Sequence, residues 1–526
     1  MSDTPPLKRA SYVLHVCSVA GLNWIPSNRS ASFPAMRIDV VKPLDEALDL
    51  FDDEPRFQHF TLDGETFWLE EYLSIRPENF ERVEAAVQAG QLLIGPWYIQ
   101  PDPKADSELL IRNLMIGLRT ARVFGQPMLV GYLPHWRKIA GQLPQILKGF
   151  GINSVIVGHV EADSLEVLCT GIDGTQIIVS QLRSPEPSNS MTLTVNDGFE
   201  DERHQLAPYS QSGHLLLIRP WYWFSSRKDR LRLFQTMPTA QMALHDDVFH
   251  SNPAAYAKAI QANREPLSEV VLTSAVPDDK PADWTPMQSL EMLSAWVENM
   301  KPLASEWQFR HPQTLLQTLW KTYLRKQRLD PDLEHTVDVL MSWAIADIAN
   351  QINTWLLPMP YGTRAHVVFN PTNQPTIVTV TAAKQTQVAV PALSYVTINS
   401  TQRDRNVNTI YVTPYTPPAR GRVLATDIHE GSLPLSASII SVSEPNFHIS
   451  TVKLPEDADR GGMIVRGTNQ NSEAVWVTLT PWRPFATVEV VTLDESPTGG
   501  KLAPESEGAV RFYARPHGIL TLWFHD

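Results

Sequence analysis

Apolar residues in the first half of the chain follow two alternating spacings. Short runs rich in β-formers (Tyr12 to Val19, Phe57 to Leu62, Leu92 to Trp97, Met128 to Leu133) are separated by stretches whose apolar positions recur every three or four residues. From Asp39 to Phe51, for example, Val40, Val41, Leu44, Leu48 and Phe51 share one helical side, and Asp45, Glu46 and Asp49 the other. Helices are also predicted over 78–89, closed by Gly90, and over 106–124, closed by Gly125. Further runs at Ser154 to Val157, Ile177 to Gln181, His214 to Ile218 and Val270 to Leu272 continue the pattern. This alternation implies a parallel sheet, most economically a (β/α)7-type barrel over residues 1–280.

The period then changes. Between Met287 and Leu357 the spacing is helical throughout, as in Leu315, Leu316, Leu319, Trp320, Tyr323 and Leu324, which predicts a helical bundle over 281–360. The bundle ends at Pro358-Met359-Pro360-Tyr361-Gly362. Beyond it, alternating runs at Ala365 to Phe369, Ile377 to Thr381, Val475 to Thr480, Val488 to Leu493 and Gly518 to Phe524 predict a β-sandwich over 361–526. The expected architecture is α/β, then all-α, then all-β.

Totals narrow the classes of function. A chain of 526 residues exceeds one ordinary core, and 43% hydrophobic residues can fill several. The net charge of -13 and the lack of a basic patch with interleaved aromatics speak against nucleic acid or an anionic membrane as partner. Cys17 and Cys169 form neither a disulfide framework nor a zinc motif, pointing to a reducing, cytoplasmic setting. No apolar run reaches the roughly 18 residues of a membrane helix. The start, from Lys8-Arg9 into Ser11 to Leu22, superficially resembles a signal peptide, but with His15 inside it reads better as the first barrel strand.

The most telling stretch is Gly131-Tyr132-Leu133-Pro134-His135-Trp136, followed by Gly141-Gln142-Leu143-Pro144 and Gly149-Phe150-Gly151-Ile152. In a barrel the residue just past a strand's carboxyl end faces the active site, and here it is His135. Together with Leu62-Asp63-Gly64-Glu65-Thr66, Leu69-Glu70-Glu71-Tyr72-Leu73, Gly95-Pro96-Trp97-Tyr98 and Ile111-Arg112-Asn113-Leu114, this stretch resembles glycoside hydrolase family 38, the zinc-dependent α-mannosidases. Leu319-Trp320-Lys321 resembles the family's bundle segment. Val368-Phe369-Asn370-Pro371 and Val510-Arg511-Phe512 resemble the start and end of its sandwich, which is shorter here.

The resemblance implies a retaining mechanism with two carboxylates about 5 Å apart, and a zinc ion on two histidines and two aspartates. This chain departs from each of those places. The family's His-x-His-x-Asp falls on Val19, Gly21 and Asn23; the nucleophile falls on His135; the last zinc ligand falls on Leu329, beside a retained Asp330. A further Asp-His pair is replaced by Tyr222-Trp223, and if Tyr256 matches the family's tyrosine the general acid falls on Ala255. The departures imply that zinc is lost and leave no residue to be named catalytic or metal-binding.

Two rearranged sites are conceivable. One uses the histidines His15, His135 and His159, against the plainer reading that His15 is packed in its strand and His159 sits in a loop. The other draws on Asp102, Asp106 and Glu108, of which the last two suit a helix amino terminus. Aromatics are the larger remainder: Trp24, Trp97, Tyr98, Trp136, Trp221 and Trp223, with Asp102 and His135, are expected at or near the barrel's cleft. There they could stack on sugar rings or fill the old pocket. Three functions follow: an inactive family-38-like protein binding carbohydrate or a partner, an active glycosidase of altered chemistry, and a structural or regulatory subunit without sugar. A protein partner or a second copy of the chain are the other partners considered.

Overall fold

In the computed structural model the described residues are 11–21, 33–182, 198–224, 226–264, 267–273, 286–299, 313–326, 339, 363–381, 385–401, 409–412, 419–422, 436–457, 459–505 and 508–526. The chain divides into two compact units, Met1–Asp279 and Lys280–Asp526.

The first unit alternates strands and helices. Its elements are β1 (Val13–Val19), α1 (Phe33–Asp53), β2 (Phe60–Thr61), α2 (Phe67–Ile75), α3 (Phe80–Gln88), β3 (Leu92–Leu93), α4 (Ser107–Arg122), β4 (Gly131–Leu133), α5 (Leu143–Gly149) and β5 (Ser154–Val157). Then come β6 (Glu166–Thr170), β7 (Gln176–Gln181), α6 (Gly198–Leu206), β8 (His214–Pro220), α7 (Arg227–Leu244), β9 (Asp247–Ser251), α8 (Pro253–Ala262) and β10 (Ser268–Val271). Helix ends follow local chemistry. Asp106 caps α4 by accepting from Leu109 N at 2.9 Å, and Arg119 and Arg122 occupy its last turn, where cations complement the helix dipole. Asn252 caps α8 by accepting from Ala255 N, with Pro253 in its first turn.

The closed parallel barrel expected from the pattern is replaced, among the described residues, by two five-stranded sheets. One has the order β3-β2-β1-β8, with β9 also paired to β1; the other is β10-β6-β7-β5-β4. The second sheet is not wholly parallel, because β6 runs antiparallel to β7. The turn between them explains this: Gly171 N bonds Thr175 O at 2.8 Å, and Gly174 takes a left-handed φ of 84° after Asp173. Asp-Gly is a strong hairpin signal. The strand expected over 92–97 keeps only Leu92–Leu93 in the ladder, since Gly95 and Pro96 interrupt it.

Both sheets nevertheless enclose one core. Cys17 and Val19 of β1 and Ile218 of β8 share a hydrophobic cluster with Tyr132, Ile156 and Ile178 of the other sheet, over Tyr256 and Ile260 of α8. A backbone bond from Met128 N to Ile94 O, 2.9 Å, links the two sides at one seam.

In the second unit, α9 (Pro286–Glu298) and α10 (Gln313–Lys326) are joined by Trp320, whose indole N–H donates to Glu291 at 2.8 Å. The remainder of the expected bundle, with Leu329 and Asp330, lies outside the described residues. The alternating runs that follow form β-sheets. One has five strands in the spatial order Phe447–Lys453, Met463–Asn469, Ile519–His525, Thr487–Val491, Pro497–Leu502; another has the three strands Ile440–Val442, Val475–Pro481 and Val510–Ala514. No helix among the described residues is long and apolar enough to cross a membrane.

One helix contact sets the geometry near the strand ends. A Cβ on Gly117 of α4 would lie 2.3 Å from the backbone of Pro96, Trp97 and Tyr98, so the helix touches that loop backbone to backbone. Gly117→Ala is expected to lower stability by about 1–3 kcal/mol or more, read as a reduced urea midpoint.

Candidate functional site

Strands β1 and β8 run parallel in register from Val13 against His214 to Val19 against Pro220. Their carboxyl ends therefore emerge side by side, which sets Gly21 against the segment Pro220 to Tyr222. Gly21 adopts a left-handed φ of 75°, and a Cβ there would lie 2.8 Å from Pro220 Cβ and 2.9 Å from Tyr222 Cε1. Its backbone N–H donates to Asp63 Oδ1 at 3.0 Å. Asp63 is fully buried and is itself left-handed, with φ 47°, a conformation that aspartate tolerates better than most residues.

A buried polar network extends from there. The Gln100 side-chain amide donates to Asp63 O at 2.9 Å and to Tyr132 O at 2.5 Å, and Gln100 N donates to Glu65 Oε1 at 2.9 Å. Asn113 of α4 receives Tyr98 N and Ile99 N on its carbonyl and donates to Ile99 O at 2.7 Å. Asp63, Glu65, Gln100 and Asn113 were not among the expected site residues; Asp63, Glu65 and Asn113 fall in segments that carry the family resemblance, whereas Gln100 falls in none.

The aromatic residues expected in a cleft are placed otherwise. Trp97 is 0% exposed, Tyr98 1%, Trp136 1% and Trp221 5%, so none presents a ring face to a sugar. Large rings gain most by burial when their polar tips find partners. Tyr98 OH donates to Glu70 at 3.1 Å, and Trp136 Nε1 donates to Pro101 O at 3.1 Å. The Trp221 ring meets Phe60 edge-on at 5.2 Å and carries the Arg230 guanidinium 4.0 Å from its centre. Trp24 lies outside the described residues, as does the side chain of Trp223. His135 and Asp102 are exposed, Asp102 accepting from Lys104 N at 2.8 Å. Tyr222 is 42% exposed.

The alternative sites fare as follows. His15 is buried, with Nδ1 2.9 Å from Ser251 Oγ and Nε2 3.0 Å from His214 Nδ1, whereas His159 lies exposed in a loop. Asp106 caps α4, and Glu108 is buried in an ion pair with Arg112 at 2.7 Å. Among the described residues no three His, Cys, Asp or Glu are grouped to hold a metal. Of the zinc positions implied by the resemblance, 21 and 135 are described: His135 carries an imidazole that could ligate the ion, but one histidine makes no site and position 21 does not fit. Gly21 supplies no donor, and its surroundings leave no volume for one.

Comparison with known proteins then bears on the fold. The pattern of the N-terminal domain of glycosyl hydrolases family 38 matches residues 24–336, and that of the family's C-terminal beta sandwich domain matches residues 446–522. A protein of Halalkalibacterium halodurans provisionally named mannosylglycerate hydrolase is 41% identical over 129 residues. That segment is 24% of this chain and only 14% of the relative. An alpha-mannosidase from Enterococcus faecalis V583 superposes with TM-score 0.58 over 98% of this chain and 86% of its own, at 15% identity. A second Enterococcus faecalis protein in the same family gives TM-score 0.52 at 18% identity, covering 92% and 61%. At such identities the structural likeness speaks of the fold alone.

Two measurements probe this end of strands β1 and β8. Gly21→Ala is expected to cost about 1–3 kcal/mol through overpacking and its left-handed φ, and Tyr222→Ala in the same chain should return part of that loss in urea unfolding. The second concerns pH. Burial, then His214, lowers His15 to about 4, and burial, then His59, lowers His250 to about 3. Below pH 6.5 the unfolded chain therefore binds protons that the folded chain refuses, and stability falls as pH drops from about 6.5 towards 4, by up to about 1.4 kcal/mol per pH unit for each imidazole. His250→Gln should flatten the slope of urea midpoint against pH.

Proposed function

The chain belongs to glycosyl hydrolase family 38, and from that membership we propose a non-hydrolytic member, one that does not cleave α-mannosides by the family's zinc-dependent route. The observation that carries this reading is the packing at Gly21, where Pro220 and Tyr222 take the space a ligating side chain would need. The residue types support it too. With His135 in place of a carboxylate, no glycosyl ester can form on that side chain, because an imidazole cannot replace the acyl oxygen of such an intermediate. Of the carboxylates considered as replacements, Asp106 is engaged in a helix cap and Glu108 in an ion pair, which leaves Asp102 without a second carboxylate from that set.

On this reading the strand-end region is a surface that binds rather than reacts. The burial of Trp97, Tyr98, Trp136 and Trp221 argues against sugar stacking there, leaving Asp102, His135 and Tyr222 as the exposed groups through which a partner would be met.

Aryl glycoside turnover, α-mannoside first, and zinc content by mass spectrometry test the proposal. The expected result is no turnover above the uncatalysed rate and no stoichiometric zinc after purification from zinc-supplemented medium. A His135→Asp variant should be equally inactive, since Gly21 still provides no ligand. Turnover abolished by His135→Ala or Asp102→Asn would overturn the proposal.

A further inference from the structure

The most exposed large aromatics among the described residues of the second unit are a pair. Trp476, 57% exposed, and Tyr513, 56% exposed, sit directly opposite each other on the adjacent antiparallel strands Val475–Pro481 and Val510–Ala514. Their ring centres are 5.2 Å apart with planes at 51°, and the Arg511 guanidinium lies 4.7 Å from the centre of the indole. Alternation explains why they share a face. Val477, Leu479, Val510 and Phe512 are buried on one side of the sheet, so Trp476, Thr478, Thr480, Arg511 and Tyr513 fall on the other, with Ser441 beside Thr480 on the third strand. Arg511 is the only charged residue in the three strands.

We propose that Trp476, Tyr513 and Arg511 form a carbohydrate-binding platform on this sheet of the second unit. The chemistry matches a pyranose. Its C–H face stacks on an indole or phenol ring, and its rim of hydroxyls meets the N–H donors of Arg511 and the hydroxyl of Thr478, which stands opposite Arg511. Tyr513 and Arg511 flank the indole and limit its rotamers, so less side-chain entropy is lost when a ligand settles on it. Composition favours a sugar over a protein: two exposed rings bordered at once by hydroxyls and one cation match the mixed apolar and hydroxyl surface of a pyranose. No acidic residue on these strands would repel a ligand or pair with Arg511 and withdraw its donors. The proposal goes beyond the non-hydrolytic reading and does not depend on it.

Affinity electrophoresis of the full chain in native gels containing soluble yeast mannan, dextran or no polysaccharide tests it. The wild type is expected to be retarded by at least one of the two polysaccharides. Trp476→Ala should weaken that retardation about tenfold, as loss of one stacked ring implies. Arg511→Ala should weaken it less, and Met242→Ala, at an exposed side chain of the first unit, should leave it unchanged. Equal melting temperatures confirm that the variants are folded, and retardation is read against each variant's own mobility without polysaccharide, since Arg511→Ala also changes the net charge. No retardation by either polysaccharide, or retardation that survives Trp476→Ala, overturns the proposal. So does self-association abolished by Trp476→Ala without polysaccharide binding, which would make the face a protein contact.

Discussion

The arrangement of the strand ends depends on the buried amide of Gln100. Strands β2 and β3 contribute only two residues each to their ladders, too few for backbone bonds alone to fix where the following loops go. Gln100 supplies what the ladders lack by donating to the carbonyls of Asp63 and Tyr132, while its backbone N–H is received by Glu65. Asp63 passes the restraint on to β1 through the N–H of Gly21. Buried carboxylates and amides are costly unless partnered, so this network tolerates little displacement. Gly21 is thereby held where Pro220 and Tyr222 close over its α-carbon.

Much of the fold was legible. Helical spacing located α3 and α4 to within two residues, and α1 except for its start, which lies six residues earlier at Phe33, because one-sided burial leaves a period that survives in sequence. What was missed has physical causes. The β6–β7 hairpin lay behind an Asp-Gly turn in a region read only as continued alternation, and one reversed strand was enough to spoil the inferred parallel sheet. Barrel closure could not be read, since it depends on pairing between distant strands, and the described strands stop at two open sheets.

The site divides in the same way. That position 21 carries no side chain is visible in the sequence; that Tyr222 occupies the space beside it is not, for the contact joins residues two hundred positions apart. Trp97, Tyr98, Trp136 and Trp221 were expected near a cleft because they follow strand ends, yet a loop aromatic can turn inward as readily as outward. Hydrogen bonds to Glu70 and to Pro101 O, for Tyr98 and Trp136, help hold them in. Trp476 is the reverse case. Alternation in Val475–Pro481 separates its side from that of Val477 and Leu479, but only the neighbouring strand brings Tyr513 and Arg511 to it.

The contact at Gly21 also has a direction in time. A lineage with this packing meets substitutions in a forced order: a larger residue at 21 is penalised while Tyr222 and Pro220 stand over it, whereas trimming Tyr222 first yields nothing that selection could see. A side chain at 21 is thus admitted only after, or together with, smaller residues at 220 and 222, which ties these distant positions into one unit of change.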